Sequence, residues 1–321
     1  MSQIDALAAQ AAAFWPQITS KPVLVMHREN TVFRVQTTGG PHALRLHRPG
    51  YHSDAALQSE LDWMAMLAHN GMQVPAPALS REAAFLVVLK GETPRRASLL
   101  SWLAGKPMGE TRAPLALTGR ARTGVFRKIG QEMARMHAMT DAWALPAGFE
   151  RPKWDVEGLI GEAPFWGRFW DIAAAPEDSA LLHALRARAK TALADYIRQG
   201  ADYGLIHADL VRENVLIEGD TLRFIDFDDS GFGFRMFEIA TTLLKNLDEP
   251  DAADLEAALL AGYTEVRPLS PADLAMLNLF VALRALSYLG WAQSRPDDPG
   301  IEARAQRFLQ VAKRVIASRL A

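Results

Sequence analysis

No cysteine occurs among the 321 residues, which excludes disulfides, thiolate zinc sites, iron–sulfur clusters and cysteine nucleophiles together. The cytoplasm is the expected compartment. Excess charge of one sign is missing too: 35 Lys and Arg face 37 Asp and Glu, a formal net charge of -2, so no basic field is present to hold nucleic acid. The first 20 residues hold no Lys or Arg and carry Asp5 inside their apolar run, which is wrong for a secretory signal. The most apolar stretch, LAMLNLFVALRALSYLGW, is interrupted by Asn278 and Arg284, so no membrane span is expected. The motifs GxxxxGK[ST], GxGxxG between strand and helix, GxSxG and HExxH are all missing, which removes P-loop, dinucleotide-binding, serine-hydrolase and zinc-protease readings.

What is present is a chain that is 49% hydrophobic, long enough for one large domain or two lobes. Residues 23–49 alternate between turn signals as VLVM, TVFRVQT, Gly39-Gly40 and HALRLHRPG, an antiparallel meander. Leu57, Leu61, Met64 and Leu67 then share one helical face, with Gly71 as a stop. Two strand-length runs, AAFLVVLK and ASLLSWLAG, complete a small sheet with one helix over residues 1–104. From residue 105 to 321 helical periods dominate, at 118–137, 178–199 and from Met236 onward. The interruptions are strand-like: GLIHADL, then NVLIEGD and TLRFIDFDD joined by Gly219 and Asp220 as a hairpin. The expected fold class is therefore α+β, in two unequal lobes.

The chemistry concentrates in HADLVREN, residues 207–214, followed twelve residues after Asn214 by Asp226 in FIDFDD. Phosphoryl transfer to an alcohol needs a carboxylate to orient the hydroxyl and take its proton, and oxygen ligands for magnesium on the ATP phosphates. Asp209, Asn214 and Asp226 supply such groups from one loop and one returning strand. An ordinary polar turn is the competing reading for the loop alone; the second Asp, the apolar strand ahead and the hairpin behind weigh against it. His207 reads as a brace for the loop rather than as a base or ligand.

HADLVRENVLIEGDTLRFIDFDD resembles the aminoglycoside phosphotransferase and choline kinase-like family, which includes homoserine kinases and has the two-lobed protein-kinase-like fold. IGQEMARMHAM at residues 129–139 is similar as well. The resemblance implies that Asp209 is the catalytic base and that Asn214 and Asp226 bind Mg2+. It further implies an ATP site with a hairpin over the phosphates (Arg28, Glu29, Asn30, Thr31), an ion pair of Arg45 with Glu60, and a hinge at Trp102, Leu103 and Ala104 for adenine. Arg45 stands where protein kinases have Lys; it keeps the charge but changes the geometry, and the hairpin lacks their glycines.

For the acceptor, Asp228 and its neighbour Asp229 could hold a cation or cap the next helix. Trp154, Trp166 and Trp170 could box an ammonium group or simply pack. Arg284, Tyr288 and Trp291, at helical spacing, could line a pocket or fill the core. Helical text resumes about ten residues after Asp226, too soon for a long activation segment, so a small-molecule hydroxyl acceptor is expected. A protein serine/threonine kinase and a catalytically silent nucleotide-binding regulator stay open as alternatives. Oligomeric state leaves no mark in the sequence.

Overall fold

The computed structural model describes residues 3–27, 29–91, 94–110, 113–172 and 175–320. The chain divides into two compact units: Met1–Lys106 with Trp143–Arg151 and Leu216–Ile225, and Pro107–Ala142 with Pro152–Val215 and Asp226–Ala321.

In the first unit α1 (Gln3–Ala12) precedes the meander β1 (Val23–His27), β2 (Thr31–Thr37) and β3 (Gly40–Leu46). The helix α2 (Asp54–His69) follows, then β4 (Val87–Leu89) and β5 (Arg95–Ser101). The five strands are antiparallel in the order β1-β2-β3-β5-β4. The alternation of TVFRVQT sends Phe33 and Val35 inward, where they meet Leu44, Leu46, Val87, Leu89, Ala97 and Leu99, and Ala8, Ala11 and Trp15 cover them. VLVM does form β1, but at the sheet edge all five of its residues stay exposed. Helix α2 begins a turn before the expected Leu57, because the Ser53 hydroxyl accepts from the Ala56 amide at 3.0 Å and closes the N-terminus there. Its apolar face is the expected one, Leu57, Leu61, Met64 and Leu67.

Further along, β6 (Lys106–Pro107) precedes α3 (Arg120–Asp141), β7 (Lys153–Trp154), α4 (Val156–Ile160) and α5 (Pro176–Arg198). Then come β8 (Tyr203–Ile206), the hairpin β9 (Val215–Glu218) and β10 (Thr221–Phe224), and β11 (Gly231–Phe234). Four helices close the chain: α6 (Arg235–Leu244), α7 (Ala252–Thr264), α8 (Pro271–Gln293) and α9 (Ile301–Arg319). The hairpin and β6 form a sheet in the order β10-β9-β6, and a third sheet runs β7-β11-β8.

Strand β11, GFGF, is not foreseen in the sequence. A Cβ on Gly231 would lie 2.3 Å from the Pro152 carbonyl oxygen, and one on Gly233 would lie 2.5 Å from Ile206. The bare backbone is what lets β11 slide between β7 and β8. Helices α3 and α7 also meet backbone to backbone, since a Cβ on Gly130 or Gly262 would fall 2.1 or 1.8 Å from a carbonyl of the other helix. Helix α8 is long and apolar enough to cross a membrane by length and composition, yet 72% of its most apolar window is buried, as befits the core helix of the second unit.

Candidate active site

In the first unit, Arg45 lies on β3 between Val32 of β2 and Ser98 of β5. Its Nη2 donates to Glu60 Oε1 of α2 at 2.7 Å, and both side chains are buried. Arg151 stands 3.8 Å from the other Glu60 oxygen, so this carboxylate lies between two guanidiniums. A buried pair of this kind is kept by its geometry, because removing either partner strands a charge in low dielectric. At the β1–β2 turn the expected phosphate-contacting side chains are engaged internally. Glu29 pairs with Arg48, Asn30 Oδ1 accepts from the Arg48 amide at 2.9 Å, and Thr31 Oγ1 is 2.8 Å from His27 Nδ1. What they fix is the backbone of the turn; Arg28 lies outside the described residues. At the hinge, the Trp102 amide donates to Pro41 O at 3.2 Å and its ring carries the Arg34 guanidinium at 5.0 Å. Leu103 is half-buried, and the Ala104 carbonyl accepts from Arg223 Nη1 at 3.1 Å.

In the second unit, β8 delivers the chain into the loop 207–211, and a 3-10 turn at Arg212–Asn214 leads into β9. Ala208 has φ 64°, a left-handed conformation costly for a residue with a Cβ. Glu238 of α6 holds it there: its carboxylate accepts the backbone N–H groups of His207 at 2.9 Å and Ala208 at 3.1 Å. Behind Glu238, His137 Nε2 lies at 2.8 Å and His137 Nδ1 is 2.8 Å from the Tyr263 hydroxyl. Burial pushes Glu238 up to about 7 and holds the His137 imidazole well below its usual range. His207 braces the loop as expected, its Nδ1 accepting from the Asp209 amide at 3.3 Å.

Asp209 is tethered at both carboxylate oxygens. Arg284 Nη2 donates to Oδ1 at 2.7 Å, and Asn214 Nδ2 donates to Oδ2 and to the Asp209 carbonyl, each at 2.9 Å. Of its side chain 23% remains exposed, enough for a hydroxyl to reach. Burial pushes Asp209 up to about 7, opposed by Arg284 and Lys245 and reinforced by Asp229 and Glu213. With its amide nitrogen given to Asp209, the side-chain oxygen is the acceptor Asn214 has to offer a metal. Asp226, exposed and at φ 66°, adds a carboxylate after β10. No group of three or more His, Cys, Asp or Glu able to cage a metal exists among the described residues. A few oxygen donors of this kind suit Mg2+, which keeps waters and takes its remaining ligands from phosphates.

Of the tryptophans that could box an ammonium group or simply pack, Trp154 and Trp166 enclose the chain's own Arg284. Its guanidinium carbon lies 5.8, 4.5, 5.6 and 4.7 Å from the ring centroids of Trp154, Trp166, Phe237 and Tyr288. Trp154 and Arg284 are fully buried and Trp166 nearly so, which closes the box to a ligand. Trp170 instead carries Arg186 at 3.7 Å, and Trp291 packs against Arg295 and Arg304. Asp228 is buried at 8% exposure and caps no helix, because β11 intervenes before α6. Its neighbour Asp229 accepts from both indoles, through its carbonyl from Trp154 Nε1 at 2.9 Å and through Oδ1 from Trp166 Nε1 at 3.3 Å. Nothing local distinguishes these two aspartates in the sequence; the tryptophans that select between them are 63 and 75 residues away. Lys245, also not singled out by the sequence, places its Nζ 4.0 Å from the Tyr288 ring centroid. Both Lys245 and Tyr288 line a cavity of about 1030 Å³ in this unit.

Comparison with known proteins matches residues 6–271 to the phosphotransferase enzyme family. The chain belongs to that family. This phosphotransferase is 30% identical over 295 residues to a homoserine kinase of Sinorhizobium fredii, covering 88% of this chain and 82% of that protein. It is 31% identical over 305 residues to an uncharacterized protein of Deinococcus radiodurans. Among solved structures, a microcompartment-associated aminopropanol kinase superposes with a TM-score of 0.81 at 30% identity, covering 98% of each chain. A choline/ethanolamine kinase family protein of Mesorhizobium loti, 14% identical with a TM-score of 0.68 over 98% of this chain, shares the fold. The phosphotransferase is thus a kinase-type enzyme of the α+β protein-kinase-like fold.

Proposed function

We propose that this phosphotransferase moves the γ-phosphoryl group of ATP to a hydroxyl of a small, amine-bearing metabolite. The observation that carries the reading is Asp209, partly open to solvent and fixed at one oxygen by Arg284 and at the other by Asn214. Asp209 orients the acceptor hydroxyl and takes its proton as the hydroxyl oxygen bonds to the γ-phosphorus. The bond to the β,γ-bridging oxygen breaks, and its electron pair leaves with ADP. Arg45, held by Glu60, supplies a guanidinium to the α- and β-phosphates; the backbone of residues 29–31 faces the phosphates and that of 102–104 takes adenine. Asn214 and Asp226 would hold Mg2+, which neutralises phosphate charge when bound. An amicoumacin kinase of the same fold was solved with AMP-PNP and Ca2+, in keeping with a nucleotide and a divalent cation.

A small acceptor is favoured over a protein because α6 begins at Arg235, nine residues after Asp226, which leaves no long segment to dock a polypeptide. The test is ADP release from MgATP across amino alcohols, hydroxy amino acids, aminoglycosides and a generic protein. Asp209→Asn is run alongside. Acceptor-dependent release that falls at least about 100-fold in the variant, with MgATP binding retained, is expected. Unchanged turnover in the variant removes Asp209 as the base.

A further inference from the structure

Resting on the reading of Arg45 as a phosphate ligand, we infer that Arg151 is a positioning residue for the nucleotide: with Glu150 it straps α2 at the height and rotation in which Glu60 holds Arg45. Residues 107–142 and 152–215 belong to the second unit, and the short run Trp143–Arg151 between them belongs to the first. That run is shaped before it meets the helix. The Phe149 amide donates to the Pro146 carbonyl at 3.1 Å, and Gly148 supplies the left-handed φ, 77°, that such a turn asks of its third residue. The Phe149 ring meets Trp143 edge-on at 5.4 Å. The turn delivers Glu150 and Arg151 to the first two turns of α2.

Four contacts run along the helix from there. The Ser53 hydroxyl donates to Glu150 Oε1 at 2.9 Å, and the Glu150 amide donates to Ser59 Oγ at 2.9 Å. Arg151 Nη1 donates to the Ala56 carbonyl at 2.9 Å, using the lone pair that the helical bond leaves over, and stands 3.8 Å from Glu60 Oε2. Residues 53, 56, 59 and 60 share one face of α2. The apolar face of the helix, Leu57, Leu61, Met64 and Leu67, is held by burial, which has no preferred direction. Hydrogen bonds at Ala56 and Ser59 do have one, and they fix how far the helix can roll or slide. A roll of α2 would draw Glu60 Oε1 away from Arg45 Nη2, now 2.7 Å apart. Arg151 stands on the other oxygen of the same carboxylate, and its side chain is fully buried, so water does little to screen that attraction. The Arg45 guanidinium is thereby ordered before a phosphate arrives, and binding need not order it.

The experiment is calorimetric titration of MgATP and steady-state kinetics on wild type, Arg151→Met, Arg151→Lys and Arg45→Met, with a melting curve of each. In Arg151→Met the Kd for MgATP is expected to rise about tenfold or more, while KM for the acceptor that ADP release selects stays within about twofold. Arg151→Lys keeps a cation beside Glu60 and is expected to bind MgATP at least about threefold more tightly than Arg151→Met. If Arg151→Met does not fold, Ser59→Ala decides: it loosens the strap without removing a charge and is expected to weaken MgATP by about threefold or more. MgATP affinity within about twofold of wild type in the deciding variant, or an equal loss for nucleotide and acceptor, overturns the inference. Arg45→Met tells that failure from failure of the underlying reading. Weaker MgATP binding in Arg45→Met leaves the phosphate role of Arg45 standing, and unchanged binding there overturns both.

Discussion

Replacing Arg284 by Met separates what this guanidinium does for the fold from what it does for the base. The side chain is fully buried, and although Nη2 reaches Asp209 and Tyr288, Nε and Nη1 have no hydrogen-bond partner. The substitution forfeits a charge-assisted hydrogen bond of about 1.5–3 kcal/mol and cation–π attraction of about 0.5–2 kcal/mol. It also removes two buried donors without partners, each costing about 1–3 kcal/mol, and the thioether packs well against the four rings. These terms oppose one another, so the expected change in stability is within about 2 kcal/mol, a melting shift of no more than about 6 °C. Turnover does not share that cancellation. Asp209 keeps only the Asn214 tether, and misplacement of the base by about an ångström costs about 100-fold in kcat. The carboxyl, already raised to about 7, also loses its strongest cationic neighbour and rises further, so the acid limb of the kcat profile moves to higher pH. Coupled ADP-release kinetics across pH and a melting curve on the same preparation measure both halves. A well-folded variant with kcat within threefold of wild type would refute the reasoning.

Asp226→Ala should weaken ATP binding at least about tenfold in the presence of Mg2+ and leave the metal-free affinity unchanged, measured by calorimetry with and without chelator; equal affinities with Mg2+ would remove Asp226 as a ligand. His47 is buried, its Nε2 lies 3.0 Å from Ser98 Oγ, and burial with Arg45 nearby holds the imidazole well below the usual 6.5. The unfolded chain therefore takes up a proton below pH 6.5 that the folded chain refuses, and stability falls with pH there by up to about 1.4 kcal/mol per unit. Urea unfolding of wild type and His47→Asn should show a shallower slope in the variant, and parallel slopes would contradict the assignment. Gly262→Ala should destabilise by about 3 kcal/mol, because the new Cβ would land on the Arg127 carbonyl and must pry α3 from α7; an unchanged denaturation midpoint would count against that packing.

Much of this architecture is legible in local text. The alternation of TVFRVQT and the helical face of α2 foretell the first sheet and its helix, and HADLVREN with FIDFDD marks the loop and strand of the site. What escapes is whatever depends on a partner distant in the chain. GFGF becomes a strand only because Pro152 and Ile206 approach it. Glu238 looks like any helix residue until its carboxylate is seen under the His207 and Ala208 amides. The tryptophans of residues 154–170 leave packing and a cation box both open, and composition does not say that a cation comes from α8, more than a hundred residues on. At the β1–β2 turn, the polar side chains are legible and their use is not, since Arg48 claims two of them.

The enclosure of Arg284 also bears on how such an enzyme changes its taste. Because the charge that steadies Asp209 is sealed behind Trp154 and Trp166, exchanging a residue of the cavity lining such as Lys245 alters what enters the cavity and leaves the tethers of the base in place. Selectivity and reactivity sit on opposite sides of an aromatic partition, so mutation can explore new acceptors on one side without first dismantling the chemistry on the other.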